Sequence, residues 1–253
     1  MSLLNNVLPS DRMAVLWTLL TLKDAIVLEY GPMGTTCFAR RFMGSLGLET
    51  AHLFSTHLSE DDVIMGDVTR LEKALIEIDK DYQPKVIFVV PSAILAVTGA
   101  DTAGVCRYMQ KQVKARLITY EGGFKGDYLK GLSEVYLLLV KEFAEMEAKS
   151  IAGTYNILGA SVYDCPTRID LQKMECLPDQ AFDAKCLTIL GLSDSVDDLK
   201  RLGQASINIV IREEALPAAK WLKENCSTEY VYAAHCEYSG NLDWLDICTV
   251  NLH

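Results

Sequence analysis

A turn bounded by glycines, Gly31-Pro32-Met33-Gly34-Thr35-Thr36-Cys37, directly follows an apolar run ending at Tyr30 and directly precedes a segment of helical period. Two glycines permit a tight turn and close approach of backbone to a ligand. Thr35 or Thr36 can cap the helix and leave its first N–H groups facing outward. The chemistry this favours is the holding of an anion or the edge of a cofactor; the plain alternative is an ordinary strand-to-helix turn. The Gly-Lys-Ser/Thr ending of a nucleotide-binding P-loop is missing, as are a lysine to neutralise phosphates and the three-glycine dinucleotide fingerprint, so no motif indicates ATP or NAD. Cys37 falls in the first helical turn, where the helix dipole favours a thiolate or a metal ligand, although a lone cysteine also serves as a small buried residue.

Two further segments invite the same reading. One is Pro91-Ser92-Ala93-Ile94-Leu95-Ala96-Val97-Thr98-Gly99-Ala100-Asp101, a loop after the run Val86 to Val90, in which Asp101 also suits a first-turn carboxylate. The other is Glu121-Gly122-Gly123-Phe124-Lys125-Gly126, after the run ending at Thr119. The candidate binding residues are Gly31, Pro32, Met33, Gly34, Thr35, Thr36, Ser92, Gly99, Asp101, Gly123, Phe124 and Gly126, with Cys37 as the candidate metal ligand. Of the other cysteines, Cys106 inside a helix and Cys186 at a strand start read as core, and Cys165, Cys176, Cys226, Cys236 and Cys248 show no CxxC spacing. His52 and His57 are spaced too unevenly for one helical face, and Ser59-Glu60-Asp61 reads as a helix cap with first-turn acids. Arg40-Arg41 suits an acidic ligand, a partner or plain solvation, and Trp221 suits a core or an interface.

The elements that must position these loops follow from hydrophobic period. Val- and Ile-rich runs alternate with helical segments, the pattern of parallel strands joined by crossover helices. A first series comprises the helix Met13 to Leu22, the strand Ala25 to Tyr30, helices Thr35 to Leu46 and Val68 to Asp79, the strand Lys85 to Val90, the helix Ala100 to Lys114, the strand Ala115 to Thr119 and the helix Leu132 to Lys149. A second has strands near Tyr155 to Ala160, Lys185 to Leu190, Ile207 to Ile211 and Tyr230 to Ala234, with helices Val196 to Gln204 and Glu214 to Asn225. The turn Ile151-Ala152-Gly153-Thr154 marks the expected boundary. The expected fold is therefore α/β: two Rossmann-like (flavodoxin-like) parallel-sheet domains, 1–150 and 151–253, with helices on both faces, and a tail over 238–253 that packs back or lies at an interface. All three candidate loops follow strands of the first series, so they should meet at one sheet edge, where open α/β sheets bind ligands.

Composition narrows the partners. The 253 residues are 50% hydrophobic and 23% charged, with 24 basic against 34 acidic side chains and a net charge of −10. No basic cluster suits nucleic acid or an anionic membrane, no apolar run is long enough to span a bilayer, and the N-terminus lacks the pattern of a signal peptide. A cytoplasmic chain with free thiols is expected.

In their order and spacing, these segments resemble the component 1 superfamily of nitrogenase and its relatives, which includes cofactor-assembly scaffolds, dark-operative protochlorophyllide and chlorophyllide reductases, and the reductive cyclase of nickel tetrapyrrole synthesis. The resemblance is carried by Asp24-Ala25 with Tyr30 to Gly34; by Ser55 to Gly66 with Leu71; by Pro84-Lys85-Val86 through Ser92; by Gly99-Ala100-Asp101; and by Gly123 to Gly126, with weaker similarity at Tyr155 to Gly159 and Ala205 to Leu222. It implies an oxidoreductase-family subunit that forms a homo-oligomer, or a heterodimer with a paralogous subunit, and receives electrons from a separate ATP-dependent reductase. The cofactor implied is an iron–sulfur cluster or a tetrapyrrole or other metallocofactor. The positions where the family commonly carries cluster cysteines hold Thr35, Ser92-Ala93 and Val7-Leu8-Pro9 here. Threonine, alanine and leucine cannot replace thiolates, so a bridging cluster of the usual kind is not expected. That departure, and a chain shorter than the family's three domains, favour as the alternative a non-catalytic scaffold or binding protein for a tetrapyrrole, a metal cofactor or a partner protein.

Overall fold

The computed structural model describes residues 9–45, 51–122, 126–163, 184–193 and 195–232. In chain order the first elements are α1 (Asp11–Leu19), β1 (Ala25–Tyr30), α2 (Met33–Ser45), β2 (Leu53–Ser55), α3 (Glu60–Met65), α4 (Thr69–Tyr82), β3 (Val86–Pro91), α5 (Ala93–Thr98), α6 (Thr102–Met109), β4 (Arg116–Thr119) and α7 (Tyr128–Phe143). There follow β5 (Ile151–Leu158), β6 (Lys185–Leu190), α8 (Val196–Lys200), β7 (Ala205–Val210), α9 (Leu216–Cys226) and β8 (Glu229–Tyr232), with 3-10 turns at Arg201–Gly203 and Glu213–Ala215. Two four-stranded sheets result, ordered β2-β1-β3-β4 and β6-β5-β7-β8. Every strand pair is parallel. This is the expected α/β class, with the same strand order used twice.

The first sheet is built on β1 and β3, whose residues are buried throughout. A parallel strand covered on both faces reads as a continuous apolar run, which is why Ala-Ile-Val-Leu-Glu-Tyr and Val-Ile-Phe-Val-Val-Pro carry no polar alternation. Ile26, Leu28, Tyr30, Ile87 and Val89 share one face with Leu71, Leu75 and Ile78 of α4 and Cys106 and Met109 of α6. The alternate residues point the other way, toward α1 and α2, where Glu29 meets Arg12 and Thr36. Trp17 of α1 is buried there and stacks on Phe42 of α2 with ring centroids 4.0 Å apart.

Several elements depart from their sequence-based bounds. The segment read as a loop after β3 contains α5: Ser92 caps it by accepting from the Leu95 N–H, and Gly99 ends it at φ +73°. The helix read as Ala100 to Lys114 is helical only over Thr102–Met109, because the Gln110 side chain turns back to hydrogen-bond the Ala115 carbonyl and the Leu117 N–H. The short edge strand β2 and the helix α3 have too few residues for a hydrophobic period; Ser59 and Asp62 close a reciprocal capping box on α3. The Gly153-containing turn is the start of β5, whose register with β7 shifts between Ile151 and Tyr155.

The chain divides into two compact units, Met1–Gly131 and Leu132–His253, so the division falls within α7, ahead of that turn. The second unit has its own core, in which Tyr155 and Ile157 of β5 pack with Ile207 and Ile209 of β7. On the other face Asn156 donates to the Leu202 carbonyl at 2.9 Å and to Asn208 Oδ1 at 2.8 Å, tying the 3-10 turn to both central strands. The tail 238–253 lies outside the described residues. Among the described residues no helix is long and apolar enough to cross a membrane.

Gly191, at the end of β6, has φ +106°, and a Cβ there would overlap the Ala160 carbonyl oxygen. Backbone strain and a backbone clash then act together, so Gly191→Ala is expected to destabilise the protein by about 3 kcal/mol in urea unfolding. A wild-type midpoint would show that the β5 and β6 ends are not packed this closely.

Candidate functional site

Parallel strands deliver their following loops to one edge. In the order β2-β1-β3-β4 the chain leaves β1 toward β2 and leaves β3 toward β4, so the topological switch point lies between β1 and β3. Tyr30 and Pro91 are register partners there, and the Ser92 N–H donates to the Tyr30 carbonyl at 2.8 Å. The next residue of the first loop, Gly31, presses on Ser92 so closely that a Cβ on Gly31 would overlap both Cβ and Oγ of Ser92. Its N–H donates to Thr56 Oγ1 at 2.9 Å, and its carbonyl accepts from the Leu58 N–H and the Ser55 hydroxyl, both at 3.2 Å. The loops after β1, β2 and β3 are thus tied together at one glycine.

Below this rim lies a buried polar chain. Glu29 and Arg12 pair at 2.6 Å with side chains 0% and 2% exposed. The Thr36 hydroxyl, in the first turn of α2, donates to the other Glu29 carboxylate oxygen. Beside Arg12, the buried Asp11 carboxylate accepts the Arg12 N–H at 2.8 Å and the Gly126 N–H at 3.1 Å. That second bond returns the end of the loop after β4 to the start of α1, where Ser10 also forms a bridge with Asp127. Sequence reasoning passed over Asp11, Arg12, Glu29 and Thr56. The available signal was Glu29 itself, a carboxylate inside an apolar strand, which must find partners when buried.

The structure thus brings Gly31, Thr36, Ser92 and Gly126 into one connected region. Gly123 and Phe124, like Leu8 and the cysteines at 165, 176, 236 and 248, lie outside the described residues. Gly99 and Asp101 sit further along, as helix punctuation: Gly99 ends α5, and Asp101 caps α6 by accepting from the Gly104 N–H at 2.7 Å. Pro32 is half-buried, Gly34 is exposed, and Thr35 lies within the first turn of α2. Met33 (46% exposed), Phe38 (57%), Ile94 (53%) and Val97 (68%) give the outer surface of α2 and α5 an apolar character, interrupted by the exposed Cys37. Arg40 is engaged with the Leu53 carbonyl, while Arg41 is exposed. His57 is exposed with a positive φ and His52 is half-buried. Trp221 is half-buried.

These residue types decide what the rim can hold. A bridging iron–sulfur cluster needs several thiolates. The Ser92 hydroxyl is committed as a helix cap, Thr36 to Glu29, and Ala93 offers only a methyl group. Among the described residues no group of three or more His, Cys, Asp or Glu could hold a metal ion. Among the described residues of this rim, Thr36, Ser92 and Ala93 therefore supply no thiolate to a bridging cluster.

Comparisons with known proteins agree with this architecture. The sequence profile of the nitrogenase component 1 type oxidoreductase family matches residues 10–246. The nitrogenase iron-molybdenum cofactor biosynthesis protein NifE of Clostridium pasteurianum is 34% identical over 140 residues, 54% of this chain and 31% of that protein. NifE of Methanosarcina barkeri is 27% identical over 227 residues, 83% of this chain and 48% of that protein. Among solved structures, nitrogenase Cp1 at pH 6.5 superposes with a TM-score of 0.80 at 15% identity, over 99% of this chain and 59% of that one, a likeness of fold. The chain spans less than half the length of these two curated relatives.

Two measurements test the rim. Gly31→Ala is expected to cost about 2 kcal/mol by overpacking against Ser92, and Gly31→Ala/Ser92→Gly to recover part of it; equal losses in both variants would place the clash elsewhere. Burial pushes the Cys106 thiol up from 9.0 to about 12. Alkylation of the native protein near pH 8 should therefore mark exposed Cys37 and spare Cys106. The unfolded chain releases the Cys106 proton first, so this group lowers stability as pH rises from about 9 toward 12. Rapid native labelling of Cys106 would contradict its burial.

Proposed function

The chain belongs to the nitrogenase component 1 type oxidoreductase family, and from that premise we propose that it is a cytoplasmic component 1-like subunit that works with a second subunit and carries no cysteine-bridged cluster at its strand-end rim. The observation that supports this is the chemistry of the rim: Thr35, Ser92 and Ala93 stand where the family commonly carries cysteines, and the hydroxyls of Ser92 and of Thr36, next to Thr35, are already engaged in the protein's own hydrogen bonds. What the rim offers instead is an apolar surface around Met33, Ile94 and Val97. In this reading a paralogous or identical subunit supplies the rest of the cleft, a tetrapyrrole or metallocofactor is the bound group, and a separate ATP-dependent reductase supplies electrons. The candidate site belongs to the first α/β domain.

A second reading is favoured by the relatives' names. Both curated relatives are NifE proteins, named for cofactor biosynthesis, which suits a non-catalytic scaffold that holds a cofactor for transfer. Cys37 then serves as an accessory metal ligand or as a plain surface thiol.

Anaerobic purification of the full chain tests the common core of both readings. Iron well below one per chain, without a thiolate-to-iron absorption band and unchanged in Cys37→Ala, is the expected result. Near-stoichiometric iron that disappears in Cys37→Ala would overturn the cluster-free reading. Electron-dependent turnover with a reductase and a second subunit would separate the catalytic subunit from the scaffold.

A further inference from the structure

The start of α1, the end of β1 and the first turn of α2 meet at charged groups that no apolar packing requires. Glu29 is the fifth residue of a six-residue strand otherwise composed of Ala, Ile, Val, Leu and Tyr, and its two carboxylate oxygens are taken by different helices: Oε1 by Arg12 of α1 and Oε2 by Thr36 of α2. Both ends of the ion pair are withdrawn from water, so its desolvation cost is offset only while the geometry is held. At the other end of the same layer α1 and α2 touch through the Trp17–Phe42 stack, a contact that resists separation but tolerates sliding. The polar chain is directional, and it lies next to the rim. Its neighbour Asp11 extends it to Gly126, so it reaches the loops after both β1 and β4.

We propose that Arg12, Glu29 and Thr36, continued by Asp11, form a positioning clamp that sets the first turn of α2 and assembles the strand-end rim before any cofactor or partner binds. This rests on the reading of that rim as the functional face, but the clamp is a property of the chain alone. Thr36 and Glu29 act through Met33 and Cys37, which lie at the start of α2 and are exposed.

Hydrogen exchange by mass spectrometry on the isolated full chain, with urea unfolding and Cys37 alkylation rates in parallel, tests this. Thr36→Val is expected to speed exchange over residues 31–38 by about tenfold, the loss of one charge-assisted hydrogen bond, and beyond any change in global stability. It should also raise the Cys37 alkylation rate, and Thr36→Ser should restore both. The paired variant Arg12→Met/Glu29→Met removes both charges of the ion pair and leaves in place the bonds from the backbone N–H groups of residues 12 and 126 to Asp11; it is expected to stay folded while exchange over residues 31–38 accelerates. Wild-type exchange over residues 31–38 in a folded Arg12→Met/Glu29→Met variant would overturn the proposal. So would a Thr36→Val effect no larger than its global destabilisation. Neither readout involves a ligand, so failure of the proposed function would leave the clamp's result standing.

Discussion

A carboxylate near the end of a fully buried parallel strand is the demand around which the first unit is organised. Apolar contacts alone could stack helices on both faces of β1, and they would do so with some freedom along the strand. Glu29 removes that freedom on one face, because an uncompensated buried charge costs several kcal/mol. Its partners must come from elements able to reach it, and these are the first turns of α1 and α2. Those turns are also the ones that lead from the start of the chain and from β1 to the sheet edge. The residue that is most costly to bury therefore also specifies where the edge lies.

The opposite face is organised differently. There, Leu71, Leu75 and Ile78 of α4 and Cys106 and Met109 of α6 pack against Ile26, Leu28 and Tyr30 of β1 and Ile87 and Val89 of β3, with no ion pair among these residues. The rim inherits this asymmetry. On the α5 side the bond from the Ser92 N–H to the Tyr30 carbonyl and the close contact of Gly31 on Ser92 together set the distance between the two diverging chains. Any side chain at position 31 would push β1 and β3 apart at their ends, so the glycine serves strand closure as much as ligand approach.

Periodicity made the strands legible. Ala25–Tyr30 and Lys85 to Val90 are apolar runs of strand length, and the turn residues between them allow little else. Helix limits were less legible because they depend on single side chains. The Gln110 amide stops α6 by bonding across to β4, a contact invisible until the strand is in place. Helix α5 was hidden because six residues hold less than two full periods. At the candidate site, the glycine turn, Thr36 and Ser92 were readable from their positions after strands. Arg12 and Asp11 were not, since seventeen residues and a helix separate Arg12 from Glu29 and only the tertiary fold makes them neighbours.

The contrast between rim and clamp bears on how such a fold can change chemistry. Loops that meet at a strand-end edge can be cross-linked by a bound group or by the protein's own bonds. Here Gly31 is bound to Thr56, Ser55 and Leu58, Ser92 caps its own helix, and Asp11 binds Gly126. All of these are protein-to-protein bonds, and they converge on one sheet edge. Loops held in this way do not need a bound group to stay together. The exposed side chains of Met33, Phe38, Ile94 and Val97 take no part in these bonds, a division of labour in which polar atoms fix the backbone and apolar atoms stay at the surface.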